Sequence, residues 1–181
     1  MTARRGIEDV IAESTLRLLR TGGPRSVTVE AVTADSGIAK TTIYRRHRDR
    51  REMLSAALSR LVSPGPLADR ADTPERLRWV IAHAVAVTDD GIGFGGFASL
   101  LTDDDAEFST VFRAILVAQR ATLVNVVDAC KADGTMRDDV EAETLIDAIV
   151  GAYIAERARA GRVADDWPDR LFAMFWPAVR T

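Results

Sequence analysis

The sequence has few of the side chains on which most enzymes and metal sites depend. It contains one cysteine, Cys130, and two histidines, His47 and His83. One thiol cannot form an internal disulfide framework or a thiolate-rich metal site, and no cluster of His, Cys and carboxylates has the spacing of metal ligands. We therefore expect no enzyme activity, no metal and no cofactor, and we expect a reducing, cytoplasmic setting.

Signals for export and membrane insertion are also missing. Glu8, Asp9 and Glu13 lie where a signal peptide needs an unbroken apolar segment. No apolar run reaches the length that spans a bilayer. We expect a protein that is neither exported nor embedded in a membrane.

The charges are distributed unevenly along the chain. Residues 1–60 hold 12 Lys and Arg against 7 Asp and Glu, whereas residues 61–181 hold 12 against 20, so that the formal net charge is −3. Phosphate contacts depend on local rather than net charge. The N-terminal third of the chain is therefore a candidate surface for a polyanion.

Almost every segment has helical spacing of its apolar residues, and none has the alternation of a half-buried strand. The sequence therefore predicts an all-α protein. The predicted helices, about nine in number, span roughly residues 6–20, 29–34, 39–46, 49–61, 73–88, 97–101, 106–132, 140–159 and 166–179. The run Ser63-Pro64-Gly65-Pro66 breaks the chain, which predicts an N-terminal domain over residues 1–62 and a larger domain over residues 63–181.

The N-terminal domain contains the pattern of a helix-turn-helix. Thr28 suits the N-cap of a short helix, and Gly37 permits the tight turn that follows it. Ile38 and Ile43 can seat the next helix against its neighbours. The side chains left for contacts are Lys40, Thr41, Thr42, Tyr44, Arg45 and Arg46. These groups suit DNA, because Thr and Lys reach phosphate oxygens and Arg can pair with a guanine edge.

These residues resemble the TetR family of bacterial transcriptional regulators. The similarity runs from Val27 through Gly37–Tyr44 to Arg50–Leu54 and covers about residues 7 to 58, with the spacing from turn glycine to tyrosine kept. The resemblance implies a homodimer of all-helical subunits. It also implies an N-terminal three-helix domain that binds DNA and a C-terminal helical domain for dimerisation and for a small-molecule effector.

The resemblance assigns roles to single residues. The predicted backbone contacts are Thr28, Lys40, Thr42, Tyr44 and Arg50. Thr41 and Arg45 are predicted to face bases, as is Lys40 in part, and Arg46 and His47 complete the predicted DNA-binding set.

Three positions depart from the family pattern. Ala39 stands where a serine usually caps the recognition helix, and His47 stands in place of the usual phenylalanine. Arg50 replaces the usual lysine, which keeps the charge but changes its geometry.

Two other interpretations of the charged and glycine-rich segments remain open. The run of arginines from Arg45 to Arg51 could be an ordinary solvated face, and the turn glycine and tyrosine spacing argue for DNA instead. Gly91–Gly96 matches the glycine pattern of dinucleotide-binding enzymes, but a helix precedes it where that fold needs a strand. A flexible loop that could gate a pocket fits the segment better.

The C-terminal domain offers a candidate ligand pocket. The helix over residues 106–132 is apolar nearly all round, which predicts a helix enclosed by others. Gln119 is a polar group on its apolar face, where it would either pair with a core neighbour or orient a ligand. The predicted pocket residues are Trp79, His83, Phe94, Phe97, Phe112 and Gln119.

The last two predicted helices carry more large apolar residues than their own packing needs. These residues are Leu145, Ile149, Tyr153, Trp167, Leu171, Phe172, Phe175 and Trp176. Self-association would bury them. A homodimer would present two recognition helices to a near-palindromic double-stranded operator, with half-sites about 34 to 36 Å or somewhat further apart. The function predicted is a repressor released by a small-molecule effector; the alternative is a helical ligand-binding protein without a DNA-binding role.

Overall fold

The computed structural model describes residues 6–62, 67–68 and 70–181. Within these ranges the chain forms nine α-helices and no β-sheet, with one isolated bridge between Met136 and Arg180. The helices are α1 (Ile7–Gly22), α2 (Val29–Ser36), α3 (Lys40–Arg46), α4 (Arg50–Ser59), α5 (Thr73–Ala86), α6 (Gly93–Thr102), α7 (Ala106–Ala132), α8 (Ala142–Ala160) and α9 (Trp167–Val179). The all-α prediction is confirmed.

The chain divides into two compact units. The first comprises residues 1–63 and 87–116, and the second comprises residues 64–86 and 117–181. The first unit thus holds α1 to α4, α6 and the start of α7, and the second holds α5, the rest of α7, α8 and α9. The domain boundary predicted at Ser63–Pro66 lies outside the described residues, so the division into functional domains stays a prediction.

The core of the first unit forms around α1, which packs against α2 and α4. Its largest fully buried side chains are Ile11, Leu19, Ile43, Met53, Leu54, Leu58, Ile92, Phe108 and Phe112. Phe108 and Phe112 stack with ring centroids 5.4 Å apart. Burial of this many apolar side chains, each worth about 1.5 to 3 kcal/mol, holds the short helices α2 and α3 in place.

In the second unit, α5 packs against α8 and α9. Leu77, Ile81 and Ile149 are fully buried in this core, and the rings of Tyr153 and Trp167 meet edge to face at 5.6 Å. The sequence predicts that the last two helices carry more large apolar residues than their packing within one subunit needs, and this prediction is partly wrong. Leu145, Ile149, Tyr153, Trp167 and Leu171 are buried within the unit, whereas Phe172, Phe175 and Trp176 are only partly buried.

The prediction that α7 is enclosed by other helices is wrong. Val117 is 69% exposed, and Ala118, Ala121 and Thr122 are also exposed. By length and composition α7 could cross a membrane, contrary to the expectation that no segment can. A single apolar helix of this length is not specific to membrane proteins, because core helices of soluble proteins reach the same length and hydropathy.

The glycine-rich segment is helical, so the prediction of a flexible loop over Gly91–Gly96 is wrong. A π-helical turn spans Val87–Ile92 and runs into α6. A Cβ added to Gly91 would lie 2.9 Å from the Leu61 Cδ1 atom, which explains a glycine there by close packing. The segment follows the helix α5, so the strand that a dinucleotide-binding turn requires is not present before it.

Candidate nucleic-acid interface

Helices α2 and α3 and the turn between them form the predicted helix-turn-helix. The Thr28 hydroxyl caps α2 by accepting a hydrogen bond from the Ala31 N–H at 3.0 Å. Gly37 ends α2 in the left-handed region, with φ 71° and ψ 4°, and its N–H donates to the Thr33 carbonyl at 3.1 Å. Both local features agree with the sequence prediction, since a hydroxyl caps well and glycine enters the left-handed region without steric cost.

Asp35 anchors the end of α2 to α1, a link that the sequence analysis missed. Its carboxylate accepts hydrogen bonds from the buried Ser14 hydroxyl and from the Arg17 guanidinium, whose Nε lies 3.1 Å from Oδ1. The hydrogen bond from Arg17 and that from Ser14 hold the pKa of the Asp35 carboxyl below its usual range. The pairing fixes the turn that precedes α3.

Helix α3 begins without a side-chain cap, as the alanine at position 39 predicts. The Ala39 carbonyl accepts the first bonds of the helix, from the N–H groups of Thr42 at 2.8 Å and Ile43 at 3.2 Å. Ile43 is fully buried and Ile38 is half-buried. The buried isoleucine sets which face of α3 points away from the core.

That outer face carries hydrogen-bond donors. Thr41 and Arg45 are exposed, Tyr44 is 46% exposed, and Thr42 is half-buried. Lys40 lies over the Tyr44 ring, with its Nζ 5.8 Å from the ring centroid. With Thr28, these residues place five predicted DNA contacts on accessible positions and one on a half-buried position.

Acidic side chains accompany most of the cations on this surface. Lys40 pairs with Glu30. The Arg46 Nη1 lies 2.6 Å from a Glu8 carboxylate oxygen. Arg48 pairs with Glu52, one helical turn later in the chain, at 3.3 Å. In the part of the chain that the structure describes, Arg45 and Arg51 have no ionic partner.

Two members of the predicted DNA-binding set lie differently from the rest. His47 is buried, with 8% of its surface exposed, and its N–H closes α3 on the Ile43 carbonyl at 2.9 Å. A direct contact of His47 with DNA would require the ring to leave this position. Arg50 is largely buried, and its guanidinium donates hydrogen bonds to the Val27 carbonyl and to the Asp105 carboxylate.

The predicted ligand residues fall into both compact units. In the second unit Trp79 and His83 stack with centroids 4.1 Å apart, and the Gln119 amide donates to the His83 carbonyl at 2.6 Å. His83 Nδ1 lies 2.8 Å from the Trp79 carbonyl. The structure thus brings these three together, and Gln119 already has a protein partner. The other three, Phe94, Phe97 and Phe112, lie in the first unit.

A family model matches the N-terminal part of this chain. Residues 11–57 match the sequence model of bacterial regulatory proteins of the tetR family. A comparison with curated proteins finds no significant match.

Solved structures of transcription regulators are similar over almost the whole chain. A TetR family regulator from Marinobacter aquaeolei VT8 is 19% identical with a TM-score of 0.67, covering 96% of this chain and 95% of that one. A TetR regulator from Agrobacterium tumefaciens is 16% identical with a TM-score of 0.65, covering 96% and 94%. A transcriptional regulator from Saccharomonospora viridis, solved in complex with choline, is 17% identical with a TM-score of 0.68, covering 96% and 97%.

Proposed function

We propose that this chain is a member of the TetR family of bacterial regulatory proteins, whose sequence model matches residues 11–57, and that it is a repressor that binds a near-palindromic operator as a homodimer. Regulators of this family bind DNA operators and small-molecule ligands, form dimers and are not enzymes. The observation that carries the proposal is the outer face of α3. There Thr41, Tyr44 and Arg45 are exposed while Ile43, on the opposite face, is fully buried.

In this proposal α3 enters the major groove. Arg45 has no ionic partner among the described residues, so it is free to donate two hydrogen bonds to one guanine. Lys40, Thr42, Tyr44 and Thr28 contact phosphates on either side, and their contacts fix the register of α3 without reading sequence. Arg45 and Thr41 therefore supply the preference for one operator.

The dimer would use the C-terminal helices α8 and α9. On α9, Met174 is 60% exposed, and Phe172, Phe175 and Trp176 remain partly exposed. Apolar side chains that one helix leaves exposed to solvent are a candidate contact surface. A two-fold axis there would supply the second recognition helix that a palindromic operator requires.

Release from DNA would follow the binding of a small molecule in the cytoplasm. Trp79, His83 and Gln119 are the described residues that we propose for orienting it, because they combine two stacked rings with an amide. A ligand that binds the DNA-free conformation more tightly shifts the population toward it and so lowers operator affinity.

The experiment is DNA binding as a function of salt, measured by fluorescence anisotropy with duplexes recovered from a genome-wide footprint. We expect the logarithm of the affinity to fall linearly with the logarithm of salt concentration, with a slope of several units. Arg45→Ala should relax the preference among duplexes at about 1 to 3 kcal/mol per base. The matched control is Arg51→Ala, which removes the same charge from another arginine without an ionic partner among the described residues and should leave that preference unchanged.

A protein that binds no duplex at low salt would contradict the proposal. The chain would then be a helical ligand-binding protein without a DNA-binding role. An Arg45→Ala variant with the sequence preference of the wild type would leave DNA binding in place but refute the assignment of Arg45 to bases.

A further inference from the structure

Arg50, the first residue of α4, is held by protein groups that lie far from it in sequence. Its Nε donates to the Val27 carbonyl at 2.6 Å, and one Nη2 hydrogen bond goes to the Pro24 carbonyl at 2.7 Å. Nη2 also donates to Asp105 Oδ2 at 2.6 Å, while Nη1 donates to Glu107 and, at 3.3 Å, to Asp105 Oδ1. These residues are called the Arg50 cluster below.

The Arg50 cluster uses the full donor capacity of the guanidinium. An arginine has five N–H donors in a fixed plane, and five hydrogen bonds to protein acceptors are present here. A lysine has three donors around one point and cannot span such a set. The arginine at this position is therefore explained by its protein partners, without a phosphate.

The electrostatics of the site also disfavour a phosphate. The side chain of Arg50 is 21% exposed and that of Asp105 is 11% exposed, so the pair is largely shielded from solvent. Glu107 supplies a second carboxylate to the same guanidinium. A phosphate that approached Arg50 would meet two negative charges at short range, and it would have to displace a carboxylate from the guanidinium.

The cluster joins three segments of the first compact unit. Pro24 and Val27 flank the turn between α1 and α2, and Arg50 opens α4. Asp105 also caps α7, because its Oδ1 accepts from the Phe108 N–H at 3.0 Å. Arg25 adds a parallel link, with Nε and Nη2 donating to the Asp104 carbonyl at 3.0 and 2.7 Å. The start of α7 is thereby tied to the turn that leads into α2.

We propose that Arg50 is a positioning residue that holds the helix-turn-helix on the first turn of α7, and that it makes no contact with DNA. The proposal rests on the proposed function in so far as α2 and α3 bind DNA. It replaces the phosphate contact that the family resemblance predicts for this position. Burial raises the pKa of Asp105, but hydrogen bonds from Arg50 and from the Phe108 N–H outweigh it and leave that pKa below its usual value.

The first measurement is thermal unfolding without DNA. Arg50→Met leaves two partly buried carboxylates without their cation, so we expect the Tm to fall by roughly 5 to 10 °C. Arg51→Met is the matched control, since Arg51 is the adjacent, exposed residue and has no ionic partner among the described residues; its Tm should stay within about 1 °C. Asp105→Asn keeps the α7 cap and should lower the Tm similarly. Its effect should not add to that of Arg50→Met.

The second measurement is DNA affinity against salt at 20 °C. Arg50→Met should weaken binding several-fold at fixed salt while the salt slope stays that of the wild type. Lys40→Met, which removes a predicted phosphate contact, should lower the slope by about 0.9 with little change in Tm. If Arg50→Met does not fold, Arg50→Lys, which keeps the charge, replaces it in the measurements of Tm and of DNA affinity.

Three results would each overturn the proposal: a Tm of Arg50→Met equal to that of the wild type, a salt slope lowered by about 0.9, or an unchanged affinity at fixed salt. A wild-type protein that binds no DNA would instead overturn the proposed function. The Tm measurements would then still decide whether Arg50 ties α4 to the start of α7.

Discussion

Lys40, the first residue of α3, forms an ion pair with Glu30 of α2, so a predicted phosphate contact is already neutralised before DNA arrives. Both side chains are accessible, at 49% and 65% of their surface. If Lys40 contacts a phosphate as predicted, DNA binding exchanges this carboxylate for a phosphate.

The first prediction concerns that exchange. Glu30→Gln removes the competing carboxylate, so binding to all duplexes should strengthen, by roughly two- to fivefold as expected for an exposed pair. Lys40→Met should weaken binding to all duplexes. The measurement is anisotropy at fixed low salt. Glu141→Gln, an exposed carboxylate in the second unit, is the control and should change nothing; equal effects of the two glutamine variants would show a general charge effect instead.

Local features of the helix-turn-helix could be predicted from the sequence because they depend on neighbours in the chain. The Thr28 hydroxyl caps a helix by accepting a hydrogen bond from the N–H three residues later, and Gly37 adopts the left-handed conformation that the turn requires. The helical spacing of Ile38 and Ile43 likewise predicts that Ile43 faces the core, where it is fully buried. Such preferences act over a few residues, so they can be recognised without the fold.

The partners of Arg50 and Asp35 could not be predicted in the same way. Asp105 follows Arg50 by 55 residues, and Asp35 follows Ser14 by 21. Charged side chains in a sequence rich in both signs have many possible partners, and only the packing of α1, α4 and α7 selects among them. For α7, composition indicated an apolar helix but not which face stays exposed, as Val117 shows.

The second prediction tests the dimer surface on α9. Met174→Glu places a charge on a side chain that is 60% exposed, so the subunit should fold normally. The charge would be buried in a dimer without a partner, which costs several kcal/mol. By light scattering at micromolar concentration we expect the wild type at about twice the 19.7 kDa of the chain and the variant at the chain mass.

Leu101→Glu is the control for this surface. Leu101 is 70% exposed on α6 in the first unit, so the same charge there should leave the dimer intact. If both variants remain dimeric, α9 is not the contact. A monomeric wild type would contradict the homodimer itself.

The third prediction concerns pH and the carboxylate of Asp35. Since hydrogen bonds from Arg17 and then Ser14 lower the pKa in the folded protein, the unfolded chain binds a proton more readily. The stabilisation is complete above the usual pKa of about 3.9 and is lost as the pH falls through the lower pKa of the folded state.

Urea unfolding of the wild type and of Asp35→Asn checks this. The wild type should have the higher urea midpoint at pH 7, and the difference between the two midpoints should become smaller below about pH 4. Asp165→Asn, on an exposed carboxylate with no partner in the described part of the chain, should show no such difference. A difference that is independent of pH would mean that Asp35 stabilises α2 through packing rather than through its charge.

The fourth prediction separates backbone strain from steric space at the turn of the helix-turn-helix. Gly37 has a φ of 71°, but a Cβ at this position would meet no atom within 4 Å. Gly37→Ala should therefore lower the free energy of unfolding by about 1 kcal/mol through the left-handed conformation alone. Gly95, within α6, also has open space around a Cβ but no positive φ. Gly95→Ala should raise the free energy of unfolding by about 0.5 to 1 kcal/mol.

The test is that the two substitutions change the free energy of unfolding in opposite directions, although both add one methyl group to an open position. Denaturant midpoints give the two signs directly. DNA affinity adds a second readout, since a turn forced out of the left-handed region changes the direction in which α3 leaves α2. Gly37→Ala should then weaken DNA binding beyond its effect on stability, whereas Gly95→Ala should not. A Gly37→Ala variant as stable as the wild type would show that the turn tolerates another conformation and that glycine is not required there.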